Sequence, residues 1–152
     1  SVAVGNAKDH IESFALLYCK GFGLDIGCNR WPLKGAYGID NNLNENALKL
    51  PFKDNSLDFV FSSHCLEHLI NWNEALELWI SKLKKGGKLF LYLPHHSMKL
   101  WEPGSPWVGN DHKWQPKAEV IVKLLKNINV KIIDHTDKPD DYFSFYIIGE
   151  KI

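Results

Sequence analysis

The sequence predicts an α/β fold, a doubly wound and mostly parallel sheet with helices packed on it, and three observations carry that reading. Short apolar runs and helical patterns alternate through the middle of the chain, the order that a parallel sheet with crossovers requires. Residues 57–61 lack the regular polar alternation of a half-exposed strand, as a central strand buried on both faces does. The 152 residues are 45% hydrophobic and 12% aromatic against 24% charged, enough for one core and too few for two. A single domain over residues 1–152 is expected.

Element by element, residues 9–20 place Ile11, Phe14, Ala15 and Tyr18 at helical spacing, with Asp9 as N-cap and Glu12 three residues on. Gly21 closes this helix. Residues 22–26 form a short strand that reaches Gly27, and residues 36–39 form a second that ends at Asp40. A turn at Lys53-Asp54-Asn55-Ser56 leads into the strand 57–61. Leu76, Trp79, Ile80 and Leu83 mark the next helix, opened near Asn71 or Asn73 and closed by Gly86-Gly87. Lys82, Lys84 and Lys85 crowd its last turn, where they suit the helix dipole better than a phosphate patch. Residues 88–93 are a strand stopped by Pro94. The loop 94–115 is too long for a plain connector and is expected to act as a lid. Pro116 opens a helix to about Lys126, and strands at 130–134 and 142–148 close the chain.

The first crossovers are short. Eight residues, Cys28 to Gly35, separate the first strand end from Ala36, fewer than a helical crossover needs. Extended, eight residues reach roughly 26 Å, enough to return along a strand of about 17 Å and step sideways about 5 Å. From Asp40 to Asn46 there is no room for a helix either, so one sheet face needs cover from the N-terminal helix or from a second subunit, which leaves a homo-oligomer open.

Charge and cysteine usage narrow the partners. Eighteen basic residues balance eighteen acidic ones, so no long-range field draws in nucleic acid or anionic lipid. Three cysteines without C-x-x-C spacing indicate neither a disulfide framework nor a zinc knuckle, and they fit a reducing cytoplasm. No apolar run approaches the roughly 18 residues of a membrane span, and no signal pattern opens the chain. A soluble, cytoplasmic protein is expected.

In open sheets of this kind ligands lie beyond the carboxyl ends of the strands. The strand ends here read Leu24-Asp25-Ile26-Gly27-Cys28-Asn29, Gly38-Ile39-Asp40, and Phe61-Ser62-Ser63-His64 followed by Leu66-Glu67-His68. Over residues 22–93 the chain resembles the class I S-adenosylmethionine-dependent methyltransferases, in particular a compact form of the type-11-like group. The resemblance rests on the Leu-Asp-x-Gly-Cys turn, the acidic end of the second strand, Leu50-Pro51-Phe52 before Asp54-x-Ser56-x-Asp58, and the Leu-Glu-His run, in that order. It implies a Rossmann-like methyltransferase fold with S-adenosylmethionine as cofactor and S-adenosylhomocysteine as product. Asp25, Gly27 and Cys28 would hold the methionine end, and Asp40 the ribose hydroxyls. Asn46 and Ala47 would edge the adenine, while Ser62, Ser63 and His64 would line the floor beside the sulfonium. The chain departs from the pattern at Asn29, in the cofactor turn where a third glycine is common, and at Asn46, where an acid often stands. Both changes would weaken affinity.

Residue chemistry supports the same site independently of the resemblance. Gly27 permits a sharp turn with close ligand approach, and a carboxylate such as Asp40 at a strand tip can chelate a vicinal diol. A dinucleotide fits less well, because Gly21, Gly23 and Gly27 do not spell G-x-G-x-x-G after the strand. His64, Glu67 and His68 also match the H-x-x-E-H spelling of zinc peptidases, but that motif needs a continuous helix where this chain predicts a strand end. No metal ligands are therefore assigned. The loop 94–115 carries Trp101, Trp107 and Trp114, which could stack on a small planar or sugar-like acceptor. His64 and His112 are the candidate general bases, with Asp111 able to orient His112. Three functions remain open at this point: methyl transfer, cofactor binding without catalysis, and zinc peptidase chemistry.

Overall fold

The structure is a computed structural model and describes residues 7–28, 30–40 and 46–152. Within them the strands β1 (Gly23–Ile26), β2 (Tyr37–Ile39), β3 (Leu57–Ser63), β4 (Leu83–Pro94), β5 (Val130–His135) and β6 (Ser144–Lys151) form a sheet in the order β2-β1-β3-β4-β6-β5. β2, β1, β3 and β4 run parallel, whereas β6 lies antiparallel beside both β4 and β5. The predicted α/β architecture, mostly parallel with short first crossovers, is the observed one.

Side-chain alternation in β4 sorts the two faces. Leu89, Leu91 and Leu93 join Leu24, Ile26 and Val60 under the helices α2 (Trp72–Lys82) and α3 (Ala118–Asn127). Phe90 and Tyr92 join Phe59 and Phe61 under α1 (Ala7–Ala15), whose Ile11 and Ala15 are buried against them. Helices thus cover both faces. α1 stops earlier than the predicted residue 20. Tyr18 and Cys19 bond back to the carbonyl of Ala15 in a closing turn, and Cys19 stays buried.

No helix appears among the described residues between β1 and β2. The connection crosses the α1 face as a loop, and Leu33, 1% exposed, is its apolar plug in the α1-side core. The Leu33 backbone N–H donates to Oδ2 of Asp25 at 2.7 Å, so a buried strand carboxylate holds the loop to the sheet. α1 packs beside Leu33 on the same face, the cover that the short crossovers require. The segment 41–45 lies outside the described residues.

Two helix ends differ from expectation, each because tertiary bonding replaces a local signal. α2 ends at Lys82, and Leu83 already pairs with Leu57 of β3. Its last carbonyls are met by the turn at 53–56: Asn55 N–H donates to Ser81 at 3.1 Å and Ser56 N–H to Lys82 at 2.9 Å. Gly86, at φ +83°, instead shapes an excursion of β4 between the pairs Leu57–Leu83 and Phe59–Lys88. The lysines also serve otherwise. Lys82 binds Asp54 at 2.8 Å and Lys84 binds Asp58 at 3.2 Å. α3 begins at Ala118, two residues after Pro116, because Lys117 is still extended. No described helix is long and apolar enough to cross a membrane.

Trp79 ties the start of the second half to this core, since its indole N–H donates to the Ala47 carbonyl at 2.8 Å in a fully buried setting. Trp79→Phe, which strands that carbonyl, is expected to lower stability by about 1–3 kcal/mol. Urea unfolding of the two proteins measures it.

Candidate functional site

Parallel register brings the strand ends together. Asp25 pairs with Gly38 on one side and Phe61 on the other, and Ile26 pairs with Ser62. Gly27 and Cys28, Asp40, and Ser62 to His64 therefore emerge along one carboxyl edge, as the sequence places them. Gly27 turns at φ +83° and donates its N–H to Ile39 at 2.7 Å. A Cβ there would stand 2.6 Å from the Cβ of Cys65, so only glycine fits. Asp40 ends β2 half-buried.

The remaining predicted residues divide by role. Cys28 is buried, and burial first, then the nearby Asp25 charge, push its thiol up to about 11, which makes it a poor nucleophile. Asn29 lies outside the described residues. Asn46 is half-buried, while Ala47 is fully buried with its carbonyl engaged by Trp79. Ser62 donates its hydroxyl to the Ile26 carbonyl at 2.9 Å and so clamps β3 to β1. Ser63 is 1% exposed, and its hydroxyl has no partner among the described residues. A buried polar atom left in that state in a native fold calls for a ligand or water.

His64 sits at the tip of β3 in the left-handed region, φ +50°. Its Nε2 lies 2.8 Å from the Ser144 hydroxyl, between the rings of Tyr92 and Trp101. Desolvation pulls its pKa down to about 3, so the ring is neutral through the physiological range. His112 is buried, with Nδ1 at 2.9 Å from the Trp101 carbonyl. That bond places the proton on Nδ1 and leaves Nε2 as the lone-pair nitrogen. Burial lowers its pKa as well. Trp101 thus touches both histidines, through its ring and through its carbonyl.

The loop 94–115 is tied inward at several points. Trp114 stacks on Trp72 with centroids 4.3 Å apart and donates to the Leu66 carbonyl at 2.9 Å. Lys113 N–H donates to the Glu67 carbonyl at 2.7 Å, and His95 Nε2 lies 2.6 Å from the Asp137 carbonyl. Of its tryptophans, Trp107 is the exposed one at 73%.

The zinc-peptidase spelling does not form its helix. His64 belongs to the strand end, and Leu66–His68 make a single 3-10 turn. His68 Nδ1 is bonded to the Asp111 carbonyl at 2.8 Å. Among the described residues no group of three or more His, Cys, Asp or Glu side chains is arranged to hold a metal.

Sequence reasoning gave Glu67 no role outside that spelling, yet it is the most unusual group here. It is fully buried, neither carboxyl oxygen has a hydrogen-bond partner among the described residues, and burial pushes its pKa up to about 8. Its Oε1 lies 3.9 Å from Nε2 of His68, whose ring meets His112 edge-on at 4.8 Å. The available signal was an acid set between the apolar Cys65-Leu66 and Leu69-Ile70. Ser144 and Asp140, which hold His64 and Tyr92, had no local signal.

Residues 4–91 match a family model described as "Methyltransferase domain". A segment of 68 residues is 32% identical to the ubiquinone/menaquinone biosynthesis C-methyltransferase UbiE of Vibrio cholerae, covering 45% of this chain and 26% of that protein. The matched segment thus spans about a quarter of that curated relative. Among solved structures, a SAM-dependent methyltransferase from Archaeoglobus fulgidus superposes with TM-score 0.74 at 18% identity, covering 97% of this chain and 94% of that one. The [4+2]-cyclase SpnF superposes with TM-score 0.67 at 14% identity, covering 96% and 80%. These likenesses show the fold, and a fold shared with a cyclase does not by itself settle the reaction.

Glu67 sets a pH signature. An acid raised from 4.5 to about 8 by folding binds its proton in the native state where the unfolded chain has lost it. Its contribution to stability is therefore intact below about pH 4.5 and declines as pH rises to about 8. Glu67→Gln is expected to lack that decline and to be more stable than the parent at pH 8, as read by melting temperature across pH.

Proposed function

The chain belongs to the methyltransferase domain family, and from that premise we propose that it binds S-adenosylmethionine at the carboxyl edge of β1, β2 and β3 and directs methyl transfer to a small-molecule acceptor. The observation that carries the reading is the convergence of three features on one edge. These are the left-handed turn at Gly27, φ +83°, the Asp40 carboxylate at a strand tip, and the buried hydroxyl of Ser63, which has no partner among the described residues. The fit is chemical: a sharp backbone turn, a diol acceptor and a polar floor are what an adenosyl amino acid requires.

Gly27 and Cys28 would hold the amino-acid end, with Asp25 behind them fixing the crossover loop, and Asp40 would accept from the ribose hydroxyls. Asn29 and Asn46 would complete the proposed cofactor contacts, whereas Ala47, fully buried with its carbonyl engaged by Trp79, would support them from behind. When bound, the cofactor would supply a methyl group on a sulfonium, whose carbon–sulfur bond breaks to leave a neutral thioether without acid assistance. The chain's own residues then need only align the acceptor and exclude water, with a base where the acceptor carries a proton. For that base His112 is preferred to His64. Its Nε2 holds the lone pair, whereas Nε2 of His64 is engaged by Ser144 and its basicity is strongly reduced. His64 then serves to position the floor. The loop 94–115 would act as cover over the acceptor side, pinned at Trp101 and Trp114.

Calorimetric titration with S-adenosylhomocysteine is expected to show binding at one site. Asp40→Ala should weaken it by about tenfold or more, in line with the loss of a charge-assisted hydrogen bond. Absence of binding to the parent protein rejects the reading. Binding without labelled-methyl transfer across a panel of metabolites and sugars would indicate a cofactor-binding module instead. With an acceptor in hand, His112→Ala should lower turnover by about a hundredfold. Because burial holds the His112 pKa below its usual value, the parent's rate should be flat above pH 6.5 and fall only in acid. Full turnover of the variant across that range removes His112 as the base.

A further inference from the structure

A concavity lies on the same carboxyl edge, on the α1 face, and nothing in the sequence pointed to it. It measures about 720 Å³ and is walled by Ile11 and Phe14 of α1, by Tyr146 of β6, and by Pro139 in the connection from β5 to β6. That volume falls within the roughly 300–1,000 Å³ typical of small-molecule sites.

We propose that this cleft receives the methyl acceptor, and that it selects a ring-bearing, largely apolar molecule that is neutral or cationic. The proposal rests on the reading of the chain as a methyltransferase. Its first support is position. Ser63 pairs with Tyr92, and Tyr92 pairs with Tyr146, so the three form a row across β3, β4 and β6. Strand alternation puts all three on the α1 face with Phe61 and Phe90. With neighbouring strands about 4.8 Å apart, Tyr146 stands about 10 Å from Ser63. The cleft begins where the proposed cofactor floor ends.

The second support is the lining. Phe14 and Tyr146 meet edge to face, with centroids 5.1 Å apart, and make an aromatic wall. Such walls favour flat rings and cations. The third is charge. Among the described residues Asp137, Asp140 and Lys138 border the cleft, two carboxylates to one ammonium, which disfavours an anion. Asp140 is fixed in place: it accepts from the Tyr92 hydroxyl, from Tyr142 N–H at 2.8 Å and from Ser144 N–H at 3.0 Å. The cleft therefore presents a rigid carboxylate beside an aromatic wall, beside the end of the row that starts at Ser63.

Three probes with one ring system test the inference: 2-naphthylmethanol, 2-naphthylmethylamine and 2-naphthoate, each followed by naphthyl fluorescence anisotropy, with S-adenosylhomocysteine titrated separately. The alcohol and the amine are expected to bind, and the acid at least about tenfold more weakly. Phe14→Ala should weaken the alcohol and amine by about tenfold. Asp137→Asn, an exposed change, should reduce the advantage of the amine over the alcohol. In neither variant should S-adenosylhomocysteine binding change, and that shows the variants are folded. Failure of the alcohol and amine to bind while S-adenosylhomocysteine binds overturns the cleft assignment and leaves the proposed function standing. Displacement of the probes by S-adenosylhomocysteine also overturns it, because the cleft would then belong to the cofactor. Naphthoate binding as tightly as the amine overturns the charge selectivity. Failure of S-adenosylhomocysteine to bind counts against the functional reading instead.

Discussion

The bond from Leu33 N–H to the buried Asp25 carboxylate is the constraint on which the site depends. Parallel strands cannot be joined by a tight turn, and the described residues of the connection from β1 to β2 form no helix to pack on the sheet. A loop that merely crossed the face would leave apolar surface wet and backbone groups unpaired. Asp25 solves both problems by gripping the loop from inside the sheet, and Leu33 then fills the space that helix side chains would occupy. Only with that loop docked can β2 lie parallel beside β1, with Gly38 against Asp25 and Asp40 at the same edge as Gly27. A residue expected to touch ligand is thus first a residue that makes the proposed site geometrically available.

The same edge concentrates polar atoms that folding alone does not satisfy. Ser63 and Glu67 are buried without hydrogen-bond partners among the described residues, and a fold that maximised stability would not retain them. They lie at and just after the tip of β3, next to the turn where Cys65 fills the space opposite Gly27. Neutral protonation relieves the strain at Glu67, since a carboxyl raised to about 8 carries little charge near pH 7. His64 is handled alike: desolvation keeps it uncharged, and the Ser144 hydroxyl meets its ring nitrogen. Among the described residues the tip of β3 is therefore polar yet nearly uncharged, while the Asp25 and Asp40 carboxylates stand at the ends of β1 and β2, a setting suited to a ligand that brings its own positive charge.

The segment 94–115 shows how a long loop can be both irregular and held. Trp114 and Lys113 are bonded to the 3-10 turn after β3, and His95 to the connection from β5 to β6. These anchors join the loop to the element that carries Glu67 and His68. The Trp72–Trp114 stack fastens the loop to the first turn of α2, so motion there is coupled to the helix under the floor. Trp107, left exposed, is the part of the segment with freedom to meet something else.

The sequence by itself determined the layer structure, because apolar runs of strand length alternating with helical periodicity have one economical solution, a parallel sheet covered on both faces. It also determined which residues stand at the strand tips, because Gly27, Asp40 and Ser62-Ser63 close their strands in a fixed order along the chain. Tertiary structure decided everything that rests on distant partners. α2 stops at Lys82 because a turn nearly thirty residues upstream meets its carbonyls, and Gly86 is left to shape a strand. His64 loses its basicity and Glu67 keeps its proton because of what packs around them, not because of their neighbours in sequence. The cleft between α1 and β6 joins residues from opposite ends of the chain, a meeting that no local pattern encodes.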